Sequence, residues 1–118
     1  MSSKVEIETF NIGIKNRKND AVCIKIPDSA TTALVSTKNK YAAAPVILNK
    51  LNISKNNPKY IFINSGNANA CTGKTGMRNA IECAMMLSKK FNCKKEEILI
   101  FSTGIIGKQL PMKTILKN

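Results

Sequence analysis

The sequence predicts a mixed α/β fold in which several strands come first and a strand–helix–strand unit follows. Short β-branched runs bounded by turn residues fill the first half of the chain. An apolar run at 60–63 then leads through a glycine-rich loop into helical spacing, and a second buried strand is expected at 98–101. No repeat or linker divides the 118 residues, so we expect one domain over residues 1–118.

The first half is predicted to be rich in strands. Alternation over residues 5–8 predicts a half-buried strand, and the apolar run 21–26 predicts a second one, with a polar turn at 16–20 between them. Residues 31–37 form a third run of β-prone residues. Residues 45–48, which begin with proline, indicate the start or the edge of a further strand.

The second half contains the predicted helix and the two most apolar strands. The helix is expected over residues 77–91, and the residues that recur there at helical spacing are Met77, Ile81, Ala84, Met85 and Phe91. Asn92 is a suitable helix terminator because asparagine tolerates the left-handed conformation. The strand at 98–101 then runs into Ser102, Thr103 and Gly104.

Charge and hydropathy exclude some classes of function. The formal net charge is +12, but 17 of the 19 basic residues are lysines spread along the whole chain, and only 5% of residues are aromatic. We therefore expect a solvated basic surface and no nucleic-acid partner. No apolar run approaches the roughly 20 residues that span a membrane, and the start of the chain does not resemble a signal peptide. The expected location is the cytoplasm.

The cysteine and histidine content narrows the chemistry further. The chain has four widely spaced cysteines and no histidine, so Cys/His zinc sites and histidine-dependent triads are not expected, and no metal is predicted. Cys83 and Cys93, in and just after the predicted helix, are expected to be small buried hydrophobes. Cys71 lies in the loop and is a weak candidate for a reactive thiol.

The two glycine-containing turns allow three chemistries, and the first is nucleotide binding. Gly73, Lys74 and Thr75 follow a strand and precede a helix, as in a phosphate-binding loop. However, Ala68 stands where that loop needs its first glycine, and Ser102 stands where an aspartate would help to hold magnesium. A simple turn before a helix is the preferred interpretation.

The second chemistry is nucleophilic catalysis by a hydroxyl group. The available hydroxyls are those of Ser65, Thr72, Thr75, Ser102 and Thr103. No histidine can act as their base, although a lysine or an N-terminal amine could replace it. Hydroxyls at strand ends and helix starts usually bond to the backbone.

The third chemistry is stabilisation of an oxyanion at the turn FSTGIIG. Thr103 offers a hydroxyl donor, and Gly104 offers an N–H that a substrate can approach without meeting a Cβ atom. Two such donors about 3 Å from a developing oxyanion are what acyl transfer requires. Spacing alone favours an ordinary turn over such a site.

A family resemblance changes that balance. It rests on NSGNANACTG at 64–73 and STGIIGKQLPM at 102–112, with shorter matches at 13–15, 37–39 and 43–46. Over nearly its whole length the chain resembles the ornithine acetyltransferases of arginine biosynthesis, also called glutamate N-acetyltransferases. The resemblance implies the N-terminal portion of an α/β/β/α layered sandwich, similar to the N-terminal-nucleophile fold.

The resemblance also implies a mechanism. Members of this family cleave themselves once before a threonine, whose freed amine acts as the base for its own hydroxyl. Acetyl passes from N2-acetylornithine to L-glutamate, with acetyl-CoA as a further donor in many members and no other cofactor. Thr103 and Gly104 match the family's oxyanion pair, whereas Asn64, Asn67 and Asn69 are expected to form a scaffold beside the site.

The family precursor is several times longer than this chain, and the nucleophilic threonine has no counterpart here. We therefore expect a truncated α chain that is inactive alone and is completed by a β chain, in a heterotetramer of two α and two β chains. Two alternatives remain open. One is a non-catalytic remnant or assembly module of the family, and the other is a small nucleotide-binding protein.

Overall fold

The computed structural model describes residues 4–117, and it confirms a mixed α/β fold built on one four-stranded sheet. In chain order the elements are β1 (Glu6–Phe10), β2 (Ala21–Lys25), α1 (Ala44–Ile53), β3 (Tyr60–Asn64), α2 (Gly73–Phe91), a 3₁₀ turn (Lys95–Glu97), β4 (Ile98–Ser102) and α3 (Met112–Lys117).

The strands lie in the sheet in their chain order, β1-β2-β3-β4. The first two pairs are antiparallel, and β3 and β4 are parallel, with Asn64 opposite Ser102. This parallel pair needs a crossover, and α2 provides it. The carboxyl ends of β3 and β4 therefore meet at one edge of the sheet, beside the loop 11–20 that joins β1 to β2.

One face of the sheet forms the core. Phe62, Ile98 and Ile100 point to this face and are 4%, 0% and 3% exposed. They pack with Leu48 of α1 and Leu87 of α2 in one cluster of buried side chains. The two helices thus cover this face and remove its apolar surface from water.

We call the opposite face of the sheet the open face. The residues on it are identified by the alternation of side chains along each strand. Its members are Ile7, Thr9, Val22, Ile24, Ile61, Ile63, Leu99 and Phe101. Leu99 is the one buried residue among them, and Ile7 is 63% exposed. The prediction that the first strand is half-buried is therefore wrong, because residues 6–9 of this edge strand are exposed.

The strand predicted at 45–48 is a helix. Pro45 occupies the first turn of α1, where the missing N–H is no loss and the fixed φ suits the helix. The buried positions of α1 are Ala44, Pro45, Leu48, Asn49 and Asn52, which is helical spacing. Two of these buried residues are asparagines, so the apolar periodicity is not visible in the sequence.

The strand predicted at 31–37 does not form within the described residues, although the run is rich in β-prone side chains. The outer edge of β4 is already occupied by a side chain. Asn49 donates from Nδ2 to the Ile100 carbonyl at 2.6 Å and accepts from the Ile100 N–H at 2.8 Å. A further strand cannot pair there, since those backbone groups are bonded.

Helix α2 begins at Gly73, four residues before the predicted start, and its end agrees with the sequence. Asn92 adopts the left-handed conformation with φ of 53°, and its N–H donates to the Ser88 carbonyl. The apolar periodicity starts only at Met77, because the first turn contains Gly73 and Gly76 and packs against a loop.

Candidate functional site

Three segments meet at the carboxyl edge of β3 and β4: the loop 11–20, the asparagine loop 64–72 and the turn 103–107. Open α/β sheets commonly bind ligands at this edge. The loop 11–20 is joined to the asparagine loop by the Ser65 N–H, which donates to the Asp20 carbonyl at 2.8 Å. The turn is joined to it by the Thr103 N–H, which donates to the Asn64 carbonyl at 3.0 Å.

The three asparagines of the loop are buried, and each of their side chains forms hydrogen bonds within the protein. Asn64, Asn67 and Asn69 are 3%, 3% and 0% exposed. Asn64 Nδ2 donates to the Asn67 carbonyl at 2.9 Å, and Asn67 Nδ2 donates to the Lys108 carbonyl at 2.9 Å. These side chains fix the loop and the segment after the turn, as a scaffold would.

Asn69 joins the loop to the first turn of α2. Its Nδ2 donates to the Gly76 carbonyl at 2.9 Å, and its Oδ1 accepts from the Thr72 hydroxyl at 2.7 Å. An added Cβ at Gly76 would lie 1.7 Å from Thr72 Oγ1 and 2.7 Å from Asn69 Oδ1. Glycine is therefore required at this position, and the helix start cannot move independently of the loop.

The turn 103–107 packs directly on the asparagine loop through two glycines. Gly104 has φ of +128°, and an added Cβ would lie 2.4 Å from the Gly66 carbonyl carbon and 2.6 Å from the Asn67 nitrogen. Ile105 lies beside Asn67 in a parallel bridge. The Ala68 N–H donates to the Ile105 carbonyl at 3.0 Å, which fixes the turn from its far side.

Thr103 and Gly104 each present a donor that the protein does not use. Both residues are exposed. Within residues 4–117, neither the Thr103 hydroxyl nor the Gly104 N–H forms a hydrogen bond, although the Thr103 N–H is bonded to Asn64. Two adjacent free donors thus lie on a turn whose neighbouring groups are fixed by hydrogen bonds.

The loop 11–20 is organised by a buried carboxylate that the sequence analysis did not identify. Asp20 is 2% exposed; its Oδ1 accepts from the Ile12 N–H, and its Oδ2 accepts from the N–H groups of Ile14 and Lys15, all at 2.7–2.8 Å. Ile14 then packs against Gly66, where an added Cβ would lie 2.6 Å from Ile14 Cγ2. The sequence signal for this role is that Asp20 is the one acidic residue in the otherwise basic loop 11–20.

Basic side chains surround this edge of the sheet. They are Lys15, Arg17 and Lys18 on the loop 11–20, and Lys108 after the turn. All four residues are exposed. A positive rim of this kind favours small substrates that carry carboxylates.

Most of the other hydroxyl candidates belong to the scaffold. Ser102 donates to Asn64 Oδ1 at 2.6 Å, Thr72 donates to Asn69 Oδ1, and Ser65 Oγ lies 3.4 Å from the Asp20 carbonyl. Thr75 is exposed in the first turn of α2. Of these five hydroxyls, only that of Thr103 is exposed on the turn 103–107.

Three backbone amides of the asparagine loop are not available to bind a phosphate. The Ser65, Ala68 and Asn69 N–H groups all donate within the protein, to Asp20, Ile105 and Asn67 respectively. A phosphate loop instead needs several consecutive free N–H groups that point at one anion. These three amides are already bonded, so this part of the loop does not provide such a cradle.

Two cysteines behave as hydrophobic side chains, as the sequence predicts. Cys83 is 5% exposed in the core, and burial followed by the charge of Glu82 raises the pKa of its thiol to about 11. Cys93 packs partly against the core, and burial also raises its pKa. Cys71 is exposed.

Among the described residues, no helix is both long and apolar enough to cross a membrane.

Comparison with solved structures finds the same fold in two crystal structures. The arginine biosynthesis bifunctional protein ArgJ of Bacillus halodurans superposes with a TM-score of 0.88 at 32% identity, over 96% of this chain and 60% of that chain. The ornithine acetyltransferase of Mycobacterium tuberculosis, crystallised with ornithine, superposes with a TM-score of 0.83 at 30% identity, over 96% of this chain and 62% of that chain.

Curated relatives match at higher identity but are much longer. The bifunctional ArgJ protein of Caldanaerobacter subterraneus is 42% identical over 106 residues, which is 90% of this chain and 26% of that protein. The ArgJ protein of Psychrobacter arcticus is 41% identical over 113 residues, 95% of this chain and 28% of that protein. The chain thus spans about a quarter of the length of these relatives. The model of the ArgJ family matches residues 6–118, and the chain belongs to this family.

Proposed function

We propose that this chain supplies the oxyanion-stabilising part of a glutamate N-acetyltransferase that takes acetyl from N2-acetylornithine. The observation that carries the proposal is the pair of adjacent, exposed, unbonded donors at Thr103 and Gly104, in a chain of the ArgJ family. The Mycobacterium tuberculosis relative, crystallised with ornithine, supports ornithine as the product of the donor substrate. The positive rim fits the carboxylates of both substrates.

In the proposed reaction, the hydroxyl of a threonine on a second chain attacks the acetyl carbonyl of N2-acetylornithine. The carbonyl oxygen becomes an oxyanion, which accepts hydrogen bonds from the Thr103 hydroxyl and the Gly104 N–H. The amine of the same threonine takes the hydroxyl proton during the attack and gives it to the amine of ornithine as the tetrahedral intermediate collapses. Ornithine then leaves, and the acetyl group stays on the threonine. The amine of L-glutamate then attacks this ester and regenerates the hydroxyl. Acetyl-CoA is proposed as a second donor.

The lengths of the relatives support the proposal of a second chain. This chain covers about 60% of the crystallised chains but only about a quarter of the curated proteins. The crystallised chains are thus less than half as long as the curated proteins, which fits a precursor that is cleaved into two subunits. We propose that a β chain completes the site, in a cytoplasmic heterotetramer of two α and two β chains.

The test uses this chain fused to the part of the Caldanaerobacter protein that lies beyond the region of similarity, which we call the completed fusion. Thr103→Ala should lower kcat by about a hundred- to a thousand-fold, or about 2.7–4 kcal/mol, because the lost donor acts mainly on the developing oxyanion. KM should change much less. Acetyl transfer and the melting temperature are measured on the same preparations, with the 118-residue chain alone as an inactive reference.

Thr75→Ala is the matched control, since Thr75 is also exposed but lies on α2 and not on the turn 103–107. It should leave kcat unchanged. Normal turnover with a lowered melting temperature for Thr103→Ala would refute the oxyanion role and favour a non-catalytic assembly module. Gly104→Ala is unsuitable as a probe, because its Cβ would collide with Gly66 and unfold the turn in either case.

A further inference from the structure

The two free donors are held by a side-chain pair immediately behind them. Asn64 ends β3 and Ser102 ends β4, and the two residues are opposite each other in the parallel register. Ser102 Oγ donates to Asn64 Oδ1 at 2.6 Å, which is short for a hydrogen bond from a hydroxyl to an amide oxygen. Asn64 is 3% exposed, so water competes little for this bond.

Asn64 uses every polar group that faces the turn. Its carbonyl accepts from the Thr103 N–H at 3.0 Å, its Oδ1 accepts from Ser102, and its Nδ2 donates to the Asn67 carbonyl at 2.9 Å. One residue therefore bonds the two positions that precede Gly104 and also the loop on which Gly104 rests. Rotation of the turn would break several of these bonds at once.

We infer that the Asn64–Ser102 pair is a positioning device, which sets the direction of the Thr103 hydroxyl and the Gly104 N–H. This inference rests on the proposed function, because those donors matter only if an oxyanion forms beside them. Ser102 touches no substrate in this scheme and acts through the turn. The Ser102 hydroxyl is thus bonded and orients the turn, whereas the neighbouring Thr103 hydroxyl is free to bind the ligand.

The chain offers a matched control for this bond. Ser88 Oγ donates to the Met85 carbonyl at 2.6 Å on the exposed side of α2, away from the sheet edge. Ser102→Ala and Ser88→Ala each remove one hydroxyl and one hydrogen bond of the same length. A purely structural role predicts that the two variants differ in stability at most, and a positioning role predicts that only Ser102→Ala alters the reaction.

The experiment measures kcat, KM and the melting temperature of the completed fusion with either substitution. Ser102→Ala should lower kcat by about ten- to a hundred-fold, because a misplaced catalytic donor costs that much, and KM should change little. Ser88→Ala should leave kcat unchanged. Ser102→Thr, which keeps a hydroxyl, should recover most of the lost turnover.

A second readout does not depend on activity. Labelling with ¹³C-carbonyl threonine and ¹⁵N-glycine selects Thr–Gly pairs, of which this chain has those at Gly73, Gly76 and Gly104. Ser102→Ala should shift or broaden the Gly104 signal and leave the Gly73 signal in place. If the fusion transfers no acetyl group, the proposed function fails, and the Gly104 signal alone then decides the positioning role. A Gly104 signal that does not move, or a kcat equal to that of Ser88→Ala, overturns the inference.

Discussion

At the scale of single residues, Asp20 shows how a buried charge can organise a loop next to a site. Its carboxylate replaces water with three backbone donors, those of Ile12, Ile14 and Lys15. These bonds fold the loop 11–20 back onto Gly66, so that the asparagine loop has a fixed wall on that side. The carboxylate is therefore linked to the turn at Gly104 through one layer of packed backbone.

We expect Asp20→Asn to lower the free energy of unfolding by at least about 2 kcal/mol, since a hydrogen bond to a charged group contributes about 1.5–3 kcal/mol. The new amide would also point its N–H₂ group at donors that previously met an oxygen. Asp28→Asn is the control, because Asp28 is exposed. Urea denaturation of the completed fusion measures both, and equal midpoints for the two variants would contradict this role for Asp20.

The turn at Thr103 and Gly104 has features that cannot be predicted from the local sequence. Thr103 and Gly104 were identified through a family resemblance, since an ordinary turn has the same composition. Gly104 was expected to be glycine so that a substrate could approach, but the structure shows that its Cβ would collide with the Gly66 backbone. Such a contact joins residues far apart in the chain, and no local pattern encodes it.

At the scale of elements, the predictions succeeded where a single apolar period dominates. The strands β3 and β4 and the end of α2 were predicted correctly, because each is a clear apolar run or ends at a left-handed asparagine. Helix α1 was missed because buried asparagines interrupt its apolar stripe. One of those asparagines, Asn49, replaces a neighbouring strand at the edge of β4, which no strand or helix propensity anticipates.

Asn49→Ala should destabilise the protein by about 1–3 kcal/mol for each buried backbone group of Ile100 that loses its partner. Alanine is a better helix former than asparagine, so any loss must come from the edge of β4 rather than from α1 itself. Asn52→Ala is the matched control on the same helix, as Asn52 is 8% exposed and its side chain forms no hydrogen bond within residues 4–117.

The readout for this pair is thermal unfolding together with amide hydrogen exchange. The Ile100 N–H should exchange faster in Asn49→Ala than in Asn52→Ala, because its acceptor Oδ1 is gone. Unchanged protection of that amide would show that β4 keeps its edge closed without Asn49.

At the scale of the whole molecule, the fold class was predictable from the sequence, whereas the expectation of a partial fold came only from the family resemblance. Residues 98–106 divide into the buried strand that the sequence predicts and an exposed apolar end. Ile98, Leu99 and Ile100 are 0%, 2% and 3% exposed, whereas Ile105 and Ile106 are 57% and 66% exposed. Strand order and register decide which apolar runs face the helices, and these depend on pairings distant in sequence. That the 118 residues are a single partial domain stays a prediction.

The open face is another partly exposed apolar surface, on which Ile24 lies directly opposite Ile61. A sheet with helices on one face and half-exposed branched side chains on the other resembles a layer that another part of the protein covers. We therefore expect the 118-residue chain to bind a hydrophobic dye and to associate in solution. Ile24→Thr with Ile61→Thr should remove most of the dye signal, because threonine keeps the β-branched shape and adds a polar group.

Leu51→Gln is the control for this surface, since Leu51 is 60% exposed on the outer side of α1, away from the open face. It should leave the dye signal almost unchanged, and the completed fusion should bind little dye because its additional segment covers the sheet. Dye fluorescence and light scattering of the four proteins distinguish the outcomes. A monodisperse wild-type chain whose dye signal equals that of the double threonine variant would show that the open face is stable in water. The proposed β chain would then have to contact this chain elsewhere.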